Sequence, residues 1–250
     1  MKRKKGPWAD KMFLEGPKLV KEALQEGLEL EALFVRDSYS KEDLEEILQA
    51  TDSNKLWILE DGLFHQVSDT KPPQGLLGIF AKPPLLTRNN FHKAMIGRNT
   101  GRILVMENLQ DPGNVGTMLR TAYAFNFGGA VLIGNTADPF QPKCLRSGMG
   151  AALHLPLLFM EKSAEALSYF KELGIRSLGT AMEGMSLEVY PAEKHPSLAL
   201  WIGNEGQGLL AQTLEQVEDL ISIPMPGGAE SLNAGVAAGI IMYKLSEDLS

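Results

Sequence analysis

Three short loops carry the side chains of this 250-residue chain best suited to chemistry. The first runs Glu107-Asn-Leu-Gln-Asp-Pro-Gly-Asn114-Val-Gly-Thr-Met-Leu-Arg120. It combines a turn signal, an amide at Asn114 suited to capping a helix, and a guanidinium six residues further on. The second is Ile202-Gly-Asn-Glu205-Gly-Gln-Gly-Leu209, an acid set among three glycines after an apolar strand. The third begins Ile223-Pro-Met225-Pro-Gly-Gly-Ala-Glu230-Ser231-Leu232-Asn233 and continues into Gly235-Val-Ala-Ala-Gly239. Glycine at such density implies close approach of backbone to a ligand or another segment. Ser231 reads as an ordinary helix N-cap, and Gly235 with Gly239 as a helix face that another backbone approaches, in the fold or across a dimer. Arg120 supplies a fixed cation, Glu205 an acceptor, and Asn114, Ser231 and Asn233 neutral polar groups. A purely structural role remains open for each of these residues taken alone.

Several other chemistries lose support. The single cysteine, Cys144, makes neither a disulfide framework nor a zinc-thiolate site. The four histidines lie far apart, with no metal-ligand spacing, so no metal is expected. Neither the dinucleotide fingerprint nor the P-loop motif follows any expected strand. No apolar run approaches the roughly 18 residues that span a bilayer, and no apolar signal core follows the basic N-terminus. A cytoplasmic protein is the expectation, with no membrane partner.

The loops need a scaffold, and apolar patterning supplies one. From Ile103 onward short apolar strands alternate with helices, the pattern of a parallel α/β sheet. Helices are expected at Val115–Phe125, Pro142–Ala152, Ala164–Leu173 and Leu232–Leu245. Residues 1–84 read as a smaller α/β unit, with strands at Ala32–Val35, Leu56–Leu59 and Gln74–Phe80 and helices after Gly16-Pro17 and over Glu42–Ala50. Pro83-Pro84 ends that pattern, and residues 85–100 read as a basic linker before a domain at 101–250.

Charge is unevenly distributed. The chain carries a net −7, yet no acid occurs between Asp69 and Glu107, where six basic residues lie. Together with Lys2–Lys5, that segment is a candidate for phosphate contacts, through Arg88, Lys93 and Arg98 in particular. A solvated linker and a frayed tail would carry the same charges.

Taken jointly, the three loops resemble the SpoU/TrmH family of RNA ribose 2′-O-methyltransferases, in the SPOUT superfamily. The resemblance rests on Asn114, Gly116, Arg120, Thr121 and Ala122; on Ile202 to Leu209; and on Ile223-Pro-Met with Ser231-Leu-Asn and Val236-Ala237. It extends to Asp138-Pro and Lys143-Cys-Leu-Arg146, and in the N-terminal half to Phe13-Leu-Glu-Gly-Pro and Val67-Ser-Asp-Thr-Lys-Pro-Pro-Gln-Gly. Gly148 departs from it, standing where the family often has Ser or Thr. The resemblance implies a C-terminal parallel-sheet domain closed by a deep trefoil knot, a small ribosomal-protein-like RNA-binding domain before it, and a homodimer. It implies S-adenosylmethionine at the second and third loops, where Gly203, Ile223, Met225 and Leu232 offer backbone groups and apolar walls, with Thr180 expected to join them from the end of its strand. It also implies Arg120 as the catalytic residue, with Asn114, Glu205, Ser231 and Asn233 around it. Large-subunit ribosomal RNA is the expected substrate. Transfer RNA, base methylation and a non-catalytic assembly factor are the alternatives.

Overall fold

The computed structural model describes residues 8–40, 44, 45, 47, 51, 53–98, 101–228 and 230–247. Lys2–Lys5 and most of the helix expected over Glu42–Ala50 lie outside these; Leu44, Glu45 and Ile47 are helical as expected.

The N-terminal unit consists of β1 (Lys11–Glu15), α1 (Pro17–Gln25), β2 (Leu30–Arg36), β3 (Leu56–Leu59), α2 (Asp61–Val67) and β4 (Leu76–Ala81). Its four strands lie in the order β1-β4-β2-β3, with β4 antiparallel to both neighbours and β3 parallel to β2. The sequence reading had no counterpart for β1. Its charged ends hide a two-residue alternation in which Met12 and Leu14 are buried. Pro17 at the first turn of α1 costs no hydrogen bond, and Leu19, Val20 and Ala23 line the helix's inner face.

The second unit comprises α3 (Arg88–Gly97), β5 (Gly101–Glu107), α4 (Pro112–Ala124), β6 (Gly129–Ile133), α5 (Pro142–Ser147), α6 (Ala151–His154), β7 (Leu157–Met160), α7 (Ser163–Glu172), β8 (Arg176–Ser186), β9 (Ser197–Ile202), α8 (Ala211–Leu214), β10 (Asp219–Ser222) and α9 (Ala234–Glu247). Six parallel strands form one sheet in the order β10-β8-β9-β5-β6-β7. The parallel α/β architecture read from the sequence is therefore present. Both faces of β5 and β9 are buried, which explains their unbroken apolar runs.

Two local expectations need correction. The segment expected to be a basic linker contains α3, capped by the Thr87 hydroxyl accepting from the Asn90 amide. Phe91 and Met95 on its inner face sit in the core beside Val131 and Leu158. Its polar residues outnumber and mask this two-residue stripe. The helix expected over Pro142–Ala152 is two helices, because Met149 and Gly150 both adopt positive φ, 48° and 78°. Gly148 lies at this break, buried against Gly116 of α4, where a Cβ would stand 3.0 Å from the Gly116 and Cys144 carbonyl oxygens. The departure at Gly148 thus accommodates a close helix contact.

The two units share one apolar cluster running from Met12 and Leu14 through Leu104 to Leu245. Polar contacts add to it. Lys82 pairs with Asp138 at 2.6 Å, His154 Nδ1 lies 3.0 Å from Glu26, and Arg146 lies 3.5 Å from Asp69.

Phe91 separates a helix from a linker experimentally. Phe91→Ala is expected to cost about 3–5 kcal/mol in urea denaturation, as for other fully buried aromatics; a bare linker would lose almost nothing.

Candidate functional site

The sheet ends in a row of loops at the carboxyl ends of its strands, the usual ligand edge of a parallel α/β domain. The first loop follows β5. Asp111, not Asn114, is the N-cap of α4: its carboxylate accepts the Asn114 backbone amide at 3.1 Å, and Pro112 takes the first helical position. Proline favours that position, and its fixed φ draws the helix start forward. The Lys143 ammonium at 2.5 Å holds the Asp111 carboxyl below the usual carboxylate range, opposed by some burial and aided by backbone hydrogen bonds.

The shifted cap frees the Asn114 side chain. Its amide donates to Glu205 Oε1 at 3.1 Å, and its oxygen accepts from Asn233 Nδ2 at 3.0 Å. Glu205 Oε1 also accepts the Asp111 backbone amide at 3.3 Å. Residues from all three loops, 91 and 119 positions from Asn114 along the chain, thus meet in one hydrogen-bonded group.

Each member is held from behind. Asn204 closes its loop through paired backbone hydrogen bonds with Gly208, at 2.9 and 2.8 Å, while its side chain accepts from Gly206 and Gln207 and donates to the Asn108 carbonyl. Gly203 has no room for a Cβ, which would collide with the Gly208 and Leu209 backbone. The loop's own closure therefore demands that glycine. Asn233, not Ser231, caps α9, accepting from Gly235 at 2.9 Å and Val236 at 3.2 Å. Ser231 stands two residues before the cap, exposed and without a hydrogen bond among the described residues. Gly235 and Gly239 face Thr117 and Thr121 of α4, so the helix face without side chains is used inside the fold.

Glu107 is a functional candidate that the sequence reading missed. It is fully buried at the end of β5. Its carboxylate accepts from Ser163 Oγ, from Thr213 Oγ1 at 2.6 Å and from the Leu210 backbone amide at 2.8 Å. These donors open α7 and α8, so one buried acid ties two helix starts to the central strand. The signal available in the sequence was an acid ending the apolar run Ile103–Met106.

Gly203 and Ile223 follow the carboxyl ends of β9 and β10, and Thr180 lies within β8, just past Gly179 where its pairing with β9 ends. The Thr180 hydroxyl donates to the Trp201 carbonyl at 3.1 Å. Pairing between β8 and β10 jumps from Gly179/Leu220 to Met185/Ile221, so residues 180–184 leave the ladder beside these loops. Bulges of this kind re-aim side chains next to binding sites. Ile223 and Met225 are half-buried and Leu232 is 38% exposed, leaving apolar surface on the loops.

Other expected site residues stand apart. Arg120 is exposed on α4, about a third of a turn round from Asn114, and makes no hydrogen bond or ion pair among the described residues. Arg88 pairs with Glu165 at 3.2 Å and lies over the Tyr169 ring. Arg98 donates to the His154 carbonyl at 2.5 Å and lies over Tyr123. Lys93 is exposed. Burial, with Asp138 and Asp111 nearby, pushes the Cys144 thiol up to about 12, which makes it inert. Among the described residues no group of three His, Cys, Asp or Glu could hold a metal, and no helix is long and apolar enough to cross a membrane.

A parallel α/β domain whose ligand edge is three knitted glycine-rich loops is a recognisable class, and comparison with known proteins specifies it further. The SpoU rRNA methylase family model matches residues 101–243, and the MRM3-like substrate binding domain matches residues 1–78. The chain belongs to the SpoU rRNA methylase family. It is 35% identical over 238 residues to the 23S rRNA (guanosine(2553)-2′-O)-methyltransferase RlmP of Bacillus subtilis, covering 93% of this chain and 87% of that one. It is 30% identical to the 23S rRNA (guanosine-2′-O-)-methyltransferase RlmB of Vibrio vulnificus, covering 68% and 69%. The crystal structure of the SpoU methyltransferase AviRb of Streptomyces viridochromogenes, in complex with AdoMet, superposes with a TM-score of 0.82 at 25% identity, covering 98% of this chain and 93% of that one.

Replacing Glu107 by Ala should strand the Leu210 amide and two hydroxyls in the core. A loss of about 2–4 kcal/mol in chemical denaturation is expected. Wild-type stability in Glu107→Ala would reject its role as the tie between loops.

Proposed function

We propose that this chain transfers a methyl group from S-adenosylmethionine to a ribose 2′-hydroxyl of large-subunit ribosomal RNA. The observation that carries the reading is the Asn114–Glu205–Asn233 group, which joins three loops of the family pattern within hydrogen-bond distance. The relatives named for 2′-O-methylation of 23S rRNA match most of the chain and support the substrate class.

The loops suit the cofactor chemically. Apolar side chains at Ile223, Met225 and Leu232 remain partly exposed, while Gly206 and Gly227 leave space around the backbone. Backbone groups and apolar walls suit a neutral adenine and ribose. Thr180 and Gly203 would then shape the site indirectly, since the threonine hydroxyl is engaged and the glycine is packed by its own loop. When bound, S-adenosylmethionine supplies an electrophilic methyl on a sulfonium.

The chain's own residues must align the ribose hydroxyl and stabilise the charge that develops on its oxygen. Asn114, held from both sides, and Glu205 are the groups to orient that ribose. Ser231, exposed two residues before the Asn233 cap, is the hydroxyl proposed to hold the substrate phosphate. A guanidinium keeps its proton in proteins and is a poor base, so Arg120 acts as a fixed cation beside the alkoxide and phosphate.

We further propose a homodimer and a knotted C-terminal domain. Val236, Ile240 and Tyr243 form an exposed apolar stripe on α9, at 52%, 41% and 55% exposure. An uncovered row of this size at helical spacing marks an association surface. The return of Asn233, after edge strand β10, to the loop that follows central strand β5 supports the threaded path. For RNA contacts, Lys93 and Arg88 remain candidates on α3, Arg88 through an exposed pair with Glu165, whereas Arg98 is held by the His154 carbonyl.

Arg120→Ala is expected to retain S-adenosylmethionine binding by calorimetry and to lose at least about 100-fold in kcat, the scale of one preorganised charge. Lysine should rescue poorly, because a point charge lacks the planar fork. Near-normal turnover in Arg120→Ala would reject the assignment. Methylated RNA should resist alkaline cleavage at the modified nucleotide; cleavage there would indicate a base methyl instead. Tyr243→Asp should shift the mass measured by light scattering from dimer to monomer.

A further inference from the structure

We infer that Lys71 on the loop after α2, with Arg146 and Lys143 on α5, forms a phosphate track that leads the RNA strand from the N-terminal unit to the start of α4, the helix that carries Arg120. The inference rests on the reading of the chain as an RNA methyltransferase and identifies where its substrate runs.

Lys143 and Arg146 are one turn apart on α5, so their side chains leave the helix on one side, while Cys144 and Leu145 between them are buried. Lys143 is 60% exposed and paired with Asp111, the cap of α4. Arg146 is one-third exposed and reaches Asp69 of the N-terminal unit. Lys71, two residues beyond Asp69, is exposed. The loop bearing these two residues is anchored from inside: Glu15 accepts the Asp69 backbone amide at 3.0 Å and the hydroxyls of Ser68 and Thr70 at 2.5 Å. It therefore stands as a fixed projection facing α5.

The row reaches the helix that carries the catalytic cation. α5 packs on the first turns of α4: Lys143 pairs with the Asp111 cap, the Ser147 hydroxyl lies near the Pro112 carbonyl, and Gly116 leaves room for Ser147 and the Cys144 carbonyl. Arg120 follows on α4, one turn beyond Gly116. Three cations from the two units therefore lead to the start of the helix that bears Arg120.

The ion pairs along the row suit exchange. Exposed pairs contribute little to stability, so a phosphate can replace Asp69 or Asp111 at small cost. The acids also screen the cations from other anions until an RNA backbone offers several phosphates at once.

A structural latch between the units would use the same Arg146–Asp69 pair, and the test separates the two roles. The full-length protein is assayed for methyl transfer to deproteinised large-subunit ribosomal RNA and for binding of that RNA across a salt series. Lys143→Gln and Arg146→Gln should each raise the KM for RNA about 3- to 10-fold, with kcat at saturating RNA and S-adenosylmethionine affinity within about twofold. Each should also flatten the slope of log K against log salt by about 0.7, the value for one phosphate contact on a single strand. Asp69→Asn should act in the opposite direction, lowering KM severalfold by freeing Arg146. If Asp69→Asn and Arg146→Gln weaken binding alike, the pair is a latch and the inference fails. It fails equally if the salt slopes do not move while the wild type methylates normally. A wild type that binds S-adenosylmethionine but neither binds nor methylates RNA would remove the functional reading, and the track with it.

Discussion

A carboxylate buried at the end of the central strand is the constraint on which the rest of the site depends. Glu107 has no access to water, so its charge has to be met by donors inside the fold. Ser163, Thr213 and the Leu210 amide meet it. Those donors belong to the starts of α7 and α8, which fixes the end of the loop carrying Glu205. The loop's other end is fixed by Asn204 on the Asn108 carbonyl. Glu205 then has one place to be, over the first turn of α4, where it meets Asn114. A buried charge with one satisfying arrangement of donors specifies geometry more strictly than apolar packing does.

From that point the site is assembled by substituting one cap for another. Asp111 takes over the capping of α4, and Asn233 that of α9. Asn114 is thereby released to bridge Glu205 and Asn233, while Asn233 serves the helix with its oxygen and the bridge with its nitrogen. Glycines at 235 and 239 let α9 lie close enough to α4 for that bridge to form. Glycine placement in this chain thus reflects both kinds of close approach. Gly203 and Gly116 make room for the protein's own backbone and side chains, whereas Gly206 and Gly227 leave open space on the loops.

The charge distribution follows the same division of labour. The chain is acidic overall, and most of that acidity lies in the C-terminal unit. Cations in the neutral N-terminal half are not all free for a ligand. Lys82 pairs with Asp138 across the two units, and Arg98 is held by the His154 carbonyl. Counting basic residues along the sequence therefore overstates how many face a partner.

The sequence by itself determined the parallel sheet and most strands to within a residue or two. Those features are local: apolar runs and turn residues. The grouping of the three loops came from their joint resemblance to a family, since no one of them shows it alone. The sequence did not reveal α3, because two buried side chains among polar neighbours make too weak a stripe. Nor did it reveal the break at Met149 and Gly150, where two consecutive residues adopt positive φ within an otherwise helical pattern. The caps at Asp111 and Asn233 were missed because Asn114 and Ser231 are equally good capping residues in isolation. Only the tertiary structure decided between them, by placing Glu205 and Asn233 beside Asn114 from far along the chain. The role of Glu107 was likewise invisible locally, since a carboxylate becomes a structural tie only when burial removes water and distant segments deliver its hydrogen-bond donors.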